Sequence, residues 1–219
     1  MNRFYLGLDL GKTQDYSAIA VVERIERDRP YGAPILEGLQ ARYLERLPLG
    51  TPYPRVVEQV RKIVTRRDLA GRIVVVVDGT GVGDPVVDML RVAKLGCEVM
   101  TVKITGGQWE NQHGSTHMAP KVNVPKQDLI GGLQAVLETG ELKIAAGLRF
   151  AGTLVKELVD VRVRQRVAGG VRIGADGPGQ HDDLVIALAL AVWRGRKGVK
   201  LIDPIGGRLP GLQSGGLPF

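Results

Sequence analysis

The chain has 219 residues, 44% of them apolar, which is enough for one sizeable core and lies within the usual range of a single domain. Its one cysteine, Cys97, excludes a disulfide scaffold and a four-cysteine zinc site, and its longest apolar stretches, Ile73 to Val77 and Leu184 to Trp193, are too short to cross a bilayer. Thirty Lys and Arg against 23 Asp and Glu leave a formal charge of +7, which favours a polyanionic partner such as nucleic acid without requiring one.

Phe4 to Leu10 and Ser17 to Val22 are apolar runs separated by the loop GKTQD, and they predict two strands joined as a hairpin. Ile35 to Leu47 follows neither period cleanly and is read as a third strand. After Pro52 and Pro54, the spacing of Val56, Val57, Val60, Ile63 and Val64 predicts a helix with one apolar face, ending near Arg66. Ile73 to Val77 is an uninterrupted β-branched run, the pattern of a strand covered on both faces, so it is expected at the centre of a sheet. It ends in DGTGVGD, a glycine-rich turn into a helix from about Pro85 to Lys94, with Pro85 near the first helical position, where its missing N–H costs little. Cys97 to Ile104 is the next strand.

From Thr105 to His117 the sequence is polar, has no period and predicts a mobile loop. Leu129, Leu133, Val136 and Leu137 predict a helix to about Thr139, stopped by Gly140, then a short strand from Leu142 to Ile144 and a helix from Leu148 to Leu158. Val161 to Ala175 alternates Val and Arg about Gly169-Gly170, a hairpin signal. The last helix runs from about Asp182 to Arg194. Beyond Gly198 the chain is rich in Gly, Pro and Leu without period, so the expected organisation is one domain over 1–197 and a tail over 198–219 that is disordered or docks on a partner.

Three aspartates fall where a metal site on such an α/β scaffold needs oxygen ligands: Asp9 in the first strand, Asp78 ending the central strand and Asp183 opening the last helix. Leu8 and Leu10 flank Asp9, and an unpaired carboxylate inside so apolar a strand is costly, so some partner is required. Several carboxylates in one pocket repel one another, and hard divalent cations supply the compensation. Plainer roles stand beside this one. Asp9 and Asp78 suit turn hydrogen bonding, and one of Asp182 and Asp183 suits helix capping, which leaves the other free for metal.

In order and spacing, GLDLGKTQDYSAIAVVE, VVVVDGTGVGDPVVDML and HDDLVIALALAVW resemble the nuclease domain of phage large terminase subunits, within the ribonuclease H-like superfamily that also holds RuvC-like resolvases. The resemblance covers most of residues 4 to 195, and KVNVPKQDLIGGLQAVLETGELKIA resembles the stretch between the second and third acidic motifs, with Lys126 at a commonly basic position. It implies an α/β fold with a mixed central sheet, antiparallel in its first hairpin and then parallel, flanked by helices and carrying an extra β-hairpin. It further implies a metal-dependent DNA endonuclease, a hydrolase using two Mg²⁺ or Mn²⁺ ions. The acidic triad then falls on Asp9, Asp78 and one of the Asp182-Asp183 pair, with Asp183 preferred and Asp182 the alternative ligand. Asp15 matches a recurring acidic position with a supporting role, or is a solvated turn residue; His181 either supports the pair or is structural.

Arg162, Arg164 and Arg166 alternate with Val161, Val163 and Val167, so their guanidinium groups share one face of a strand, with Arg172 on the returning arm. Such a ribbon suits phosphate contact, or is simply the solvated face of a hairpin. In the resembling nucleases a hairpin in this part of the chain lies near the active site and gates or contacts DNA. Lys12, Lys121 and Lys126 are further candidates for phosphate contact, and Trp109 either stacks on a base or anchors its loop.

The partners implied by the resemblance are double-stranded DNA and a separate ATPase motor, portal or small terminase subunit, in the cytoplasm of a bacterial host carrying the phage or prophage. No signal-peptide apolar region opens the chain, and no membrane contact is expected. Complete large terminase subunits also carry an ATPase motor, but no Walker A pattern occurs here, since the earlier glycine it requires in GLDLGKT would fall at Leu6. The expectation is therefore an isolated nuclease domain or a stand-alone relative. Three other readings stay open: a RuvC-like Holliday junction resolvase with the same fold and ions, an actin-like or sugar-kinase-type ATP-binding protein, and a non-catalytic DNA-binding module. The second has phosphate loops of the DLG and DGTG kind but needs two such domains with nucleotide between them.

Overall fold

The computed structural model describes residues 3–11, 15–27, 35–81, 84–106, 110–113, 121–165, 171–174 and 181–197. The strands β1 (Arg3–Asp9), β2 (Ala18–Arg27) and β3 (Ile35–Arg46) pair antiparallel in succession. The chain continues through α1 (Tyr53–Val64), β4 (Ile73–Asp78), α2 (Asp84–Val92), β5 (Glu98–Thr105), β6 (Asn111–His113) and β7 (Lys121–Pro125). It ends with α3 (Lys126–Glu138), β8 (Leu142–Ile144), α4 (Ala151–Asp160), the separate hairpin of β9 (Arg162–Gln165) and β10 (Val171–Gly174), and α5 (Asp183–Lys197). The main sheet has eight strands in the order β6-β7-β5-β4-β1-β2-β3-β8. The pairings β1 with β4, β4 with β5, and β5 with β7 are parallel, so the mixed sheet, its antiparallel start and the extra hairpin all match expectation.

Two details differ from the sequence reading. The segment expected to be a loop from Thr105 to His117 contains β6, whose partner β7 was not expected at all. Three residues carry too little pattern to announce a strand, and β6 forms because the edge of β7 offers main-chain partners. The fourth helix begins at Ala151, not Leu148, because Phe150 adopts a left-handed conformation with φ of 68° that no helix interior accommodates. The tail over 198–219 lies outside the described residues.

Alternation along the strands distributes side chains between two cores. Phe4, Leu6 and Leu8 of β1, with Val75 and Val77 of β4, pack under α1 and α2. Tyr5 and Val76 face the other way, into a core built with α3, α4 and α5. The central β4 is thus covered on both faces, as its β-branched run requires. Every residue of α5 from Leu184 to Val192 is buried, so this helix is apolar all round and lies against the middle of the sheet.

The approach of α5 to β1 is set by one missing side chain. A Cβ on Gly7 would overlap the Ala187 carbonyl oxygen and come within 3.0 Å of the Ala191 nitrogen, so helix backbone rests directly on strand backbone there. Farther along, a Cβ on Gly195 would stand 3.4 Å from the Tyr5 ring, which fixes α5 as running antiparallel to β1. Arg24 of β2 ties down the far end of α5 by donating to the Gly195 and Arg196 carbonyls. Moving two residues on from Gly7 along β1, and one turn back from Ala187 along α5, leads to Asp9 and Asp183. Gly7→Ala should therefore destabilise the fold by about 1–3 kcal/mol or more through overpacking. Urea denaturation measures this, and an unchanged midpoint would mean that α5 is not seated as described.

Candidate metal centre

Asp9 and Asp78 lie side by side at the C-terminal ends of two adjacent parallel strands, one step beyond the paired Leu8 and Val77. By alternation Asp9 shares a face with Tyr5 and Gly7, and Asp78 with Val76, so both carboxylates occupy the face that α5 covers. Asp183 opens α5 and is 6% exposed, with Asp182 immediately before it. Four acidic residues from three separate stretches of chain thereby reach one end of the β1–α5 seam.

Their charges bear on Asp9. Burial pushes the Asp9 carboxyl well above the ordinary range, and the negative charges of Asp78, Asp183 and Asp182 add to the effect, with Lys126 acting in the opposite sense. Burial also raises Asp78, although its Oδ1 accepts the Thr80 N–H at 2.7 Å, so the turn role of the Asp-Gly pair and a place in the acidic cluster coexist. Asp183 is pushed up to about 6, mainly by burial; Arg46 opposes the rise, and Asp182 and Asp15 reinforce it.

Among the described residues, no three His, Cys, Asp or Glu side chains are drawn tightly enough together to cage an ion as they stand. The carboxylates have partners of their own instead. Lys126 Nζ donates to Asp182 Oδ2 at 2.7 Å, while Asp183 Oδ2 faces Arg46 Nη2 at 3.5 Å and His181 Nδ1 at 3.6 Å. Mutually repelling groups without an added cation settle against whatever positive charge is near, and here Lys126 and Arg46 are within reach. The donor set itself, carboxylate oxygens throughout, is the one that hard divalent cations take.

Around Arg46 lies a group of residues that the sequence reading did not single out. Its Nη1 stands 3.5 Å from Glu157 Oε1, and its guanidinium carbon lies 3.8 Å above the centroid of the Tyr16 ring. Tyr16 in turn meets the His181 ring edge-on, with centroids 4.9 Å apart. Glu157 Oε2 accepts the Leu184 N–H at 2.9 Å and the Val185 N–H at 3.3 Å, so Glu157, and neither member of the 182–183 pair, caps α5 with its side chain. Asp182 is drawn off to Lys126, which is why it does not perform that task. Burial pushes Glu157 up to about 7 even with Arg46 beside it. The signals were faint: Arg46 follows the buried Leu44 by two positions on an alternating strand, and Glu157 follows the buried Leu154 by three on α4.

The remaining expected residues are dispersed. Asp15 is exposed near Asp183, and Lys121 is exposed at the start of β7. The base of the β9–β10 hairpin touches the site, since a Cβ on Gly174 would stand 3.3 Å from Asp182 Oδ2 and 3.4 Å from Lys126 Nζ. Arg162 is exposed opposite Gly174, and the backbone register sets Arg164 opposite Arg172. The side chains of Arg164 and Arg172, together with Lys12, Trp109 and Arg166, lie outside the described residues.

A mixed sheet of this order, with acidic residues ending β1 and β4 and opening the helix laid across them, is a ribonuclease H-like α/β domain. More particularly, the chain is similar to the nuclease domain of phage large terminase subunits. It is 27% identical over 199 residues to the large terminase subunit of Thermus virus P23-45, a match covering 90% of this chain and 33% of that one, so the chain spans a third of that relative's length. It superposes on the crystal structure of the large terminase nuclease from thermophilic phage G20c with bound magnesium at 25% identity and a TM-score of 0.60, covering 88% of this chain and 82% of that one. The large terminase nuclease domain of bacteriophage SPP1 with bound Mn shares the fold at 14% identity and a TM-score of 0.50, covering 86% and 84%. No family model matches the chain.

The raised carboxyls make a pH prediction for the protein free of divalent ions. A carboxyl whose folded pKa lies above its unfolded value stabilises the fold below the unfolded pKa, and that contribution is lost as pH rises through the folded one. For Asp183 the window runs from about 4 to about 6. Asp183→Asn should therefore raise Tm over the parent at pH 8 in EDTA, with the gap shrinking as pH falls through that window. A gap independent of pH would show that Asp183 does not titrate as described.

Proposed function

We propose that the chain is a metal-dependent DNA endonuclease whose chemistry is that of a phage terminase nuclease domain. The observation that carries the proposal is the convergence of Asp9, Asp78, Asp182 and Asp183 at the ends of the parallel strands β1 and β4 and the start of α5, near enough that the charges of the other three bear on Asp9. The likeness to a nuclease domain crystallised with magnesium supports it.

On this reading Asp9, Asp78 and Asp183 hold Mg²⁺ or Mn²⁺, with Asp182 as a further ligand once it leaves Lys126. Two such ions, when bound, activate the attacking water and stabilise the leaving oxygen in phosphodiester hydrolysis. The protein's own share is positional. Parallel pairing presents Asp9 and Asp78 together, α5 brings Asp183 over them, and the dry sheet beneath keeps their charges poorly screened. Lys126, released from Asp182, becomes available to a DNA phosphate. Arg162, at the base of the β9–β10 hairpin, and Lys121 would contact the DNA backbone without reading sequence, and Lys12, Arg164, Arg166 and Arg172 are proposed as further phosphate contacts from the sequence alone. Asp15 and His181 are supporting groups at the rim of the acidic cluster.

The substrate is double-stranded DNA, and the partners we propose are an ATPase motor, whether on the same chain or a separate one, a portal and a small terminase subunit, met in the cytoplasm of a bacterial host. No helix among the described residues is long and apolar enough to cross a membrane. Residues 1–197 would then form the nuclease domain, with 198–219 a Gly- and Pro-rich segment outside it.

Plasmid cleavage tests the chemistry. Nicked and linear products should form with Mg²⁺ or Mn²⁺ and not in EDTA, and Asp9→Ala and Asp183→Ala should each abolish both products. Cutting that persists in either variant, or in EDTA, would overturn the proposal; preferential cutting of four-way junctions over linear duplex would move it to a junction resolvase. For the ribbon, Arg162→Ala should weaken duplex binding and reduce the log–log salt slope by about one. Fluorescence anisotropy across a salt series reads this, and an unchanged slope removes Arg162 from the DNA surface.

A further inference from the structure

We propose that Arg46 is a positioning residue of the acidic centre, holding Asp183 and the first turn of α5 in one orientation so that an arriving divalent cation meets a carboxylate already aimed. The inference rests on the reading above that Asp183 is a metal ligand, and it adds a residue that neither the acidic motifs nor the basic ribbon contains.

Three walls surround the guanidinium, each from a different part of the chain. Glu157 Oε1 of α4 lies 3.5 Å from Nη1, Asp183 Oδ2 of α5 lies 3.5 Å from Nη2, and the Tyr16 ring covers the flat face at 3.8 Å. The Arg46 side chain is only 15% exposed, so it has little room to turn elsewhere. Glu157 closes the circuit: its other oxygen accepts the N–H groups of Leu184 and Val185, the two residues that follow Asp183. A path thus runs from the first turn of α5 through Glu157 to Arg46 and back to the carboxylate at the head of the same helix. Any rotation of Asp183 away from Arg46 strains a group that also anchors the helix.

The residue type matters. A planar fork serves two carboxylates at once and stacks on an aromatic ring, whereas an ammonium is a point charge that does neither well. Glu157 Oε1 takes no hydrogen bond among the described residues, so the Arg46 charge is the compensation it has. Removing the guanidinium would leave two buried carboxylates facing one another across the gap.

Metal affinity separates positioning from mere proximity, because the two predict opposite signs. A bystander cation next to a ligand repels a divalent ion, so deleting it tightens binding; a positioning cation loosens binding when lost. Mn²⁺ titration of the full chain, by calorimetry and by the electron paramagnetic resonance signal of bound Mn²⁺, should show Arg46→Gln binding about 10–100-fold more weakly than the parent. The Mn²⁺ concentration giving half-maximal cleavage should move with it while KM for DNA stays unchanged. Arg46→Lys, which keeps the charge without the fork, should recover less than half of the loss on a logarithmic scale. Equal or tighter Mn²⁺ binding by folded Arg46→Gln overturns the proposal. Should that variant not fold, Glu157→Gln keeps the guanidinium while loosening its anchor and should weaken Mn²⁺ in the same direction; unchanged affinity overturns the proposal equally. Asp9→Asn separates the two levels of inference: if it binds Mn²⁺ as tightly as the parent, the metal-centre reading fails along with this one, whereas loss in Asp9→Asn with none in Arg46→Gln defeats the role of Arg46 alone.

Discussion

The contact on which the architecture turns is the one between two backbones, β1 at Gly7 and α5 at Ala187. Helices normally stand off a sheet by the length of the side chains between them, about 10 Å from axis to sheet by analogy with layer spacings in general. Removing the Cβ at Gly7 lets the helix sink, and the small residues of α5 let it do so along its length: Ala187, Ala189 and Ala191 are all fully buried. Because α5 runs antiparallel to β1, its N-terminal end settles where β1 ends. The proximity of Asp9 and Asp183 is therefore a property of packing, set several residues away from either carboxylate, and Asp78 joins them because β4 lies parallel to β1 and in register with it.

Electrostatics then decides how such a cluster rests. Four carboxylates share one corner in which the charges of the other three raise the proton affinity of Asp9 and that of Asp182 raises Asp183, and among the described residues Lys126 and Arg46 are cations that meet them. These two divide the work unequally. Lys126 sits on the more open member, Asp182, with both side chains about a quarter exposed, whereas Arg46 is enclosed with the buried Asp183 and Glu157. A lysine on a flexible stem can be exchanged for another cation, while an arginine stacked on Tyr16 and bridged to Glu157 belongs to the frame. The same corner thus contains an exchangeable positive charge and a fixed one.

How much of this was legible depended on the range over which each feature is determined. The apolar strands, the amphipathic α1 and the buried α5 follow from local pattern, and the acidic residues stood out because a carboxylate between Leu8 and Leu10, or ending the run from Ile73 to Val77, conflicts with its neighbours. Arg46 and Glu157 did not stand out. Each is a charged residue in an element with other charged residues, and only the seating of α5 reveals that both point inward. The strands β6 and β7 were missed for a related reason: three and five residues give a weak period, and their pairing depends on β5 supplying an edge. The alternation in KVNVP, which buries Val122 and Val124, was present but short. The capping of α5 misled because Asp is a favoured cap by type, and a remote glutamate took the position instead.

The restraints at the two ends of α5 bear on how long the site survives as a site. Glu157 closes the first turn, Arg24 holds the Gly195 and Arg196 carbonyls near the other end, and every residue from Asp183 to Val192 is buried. The buried stretch from Asp183 to Val192 is therefore protected from fraying, and its amides should exchange with solvent only through openings of nearly global size. Asp183 then shares the lifetime of the whole fold, and the acidic corner is lost when the protein unfolds, not piecemeal before it.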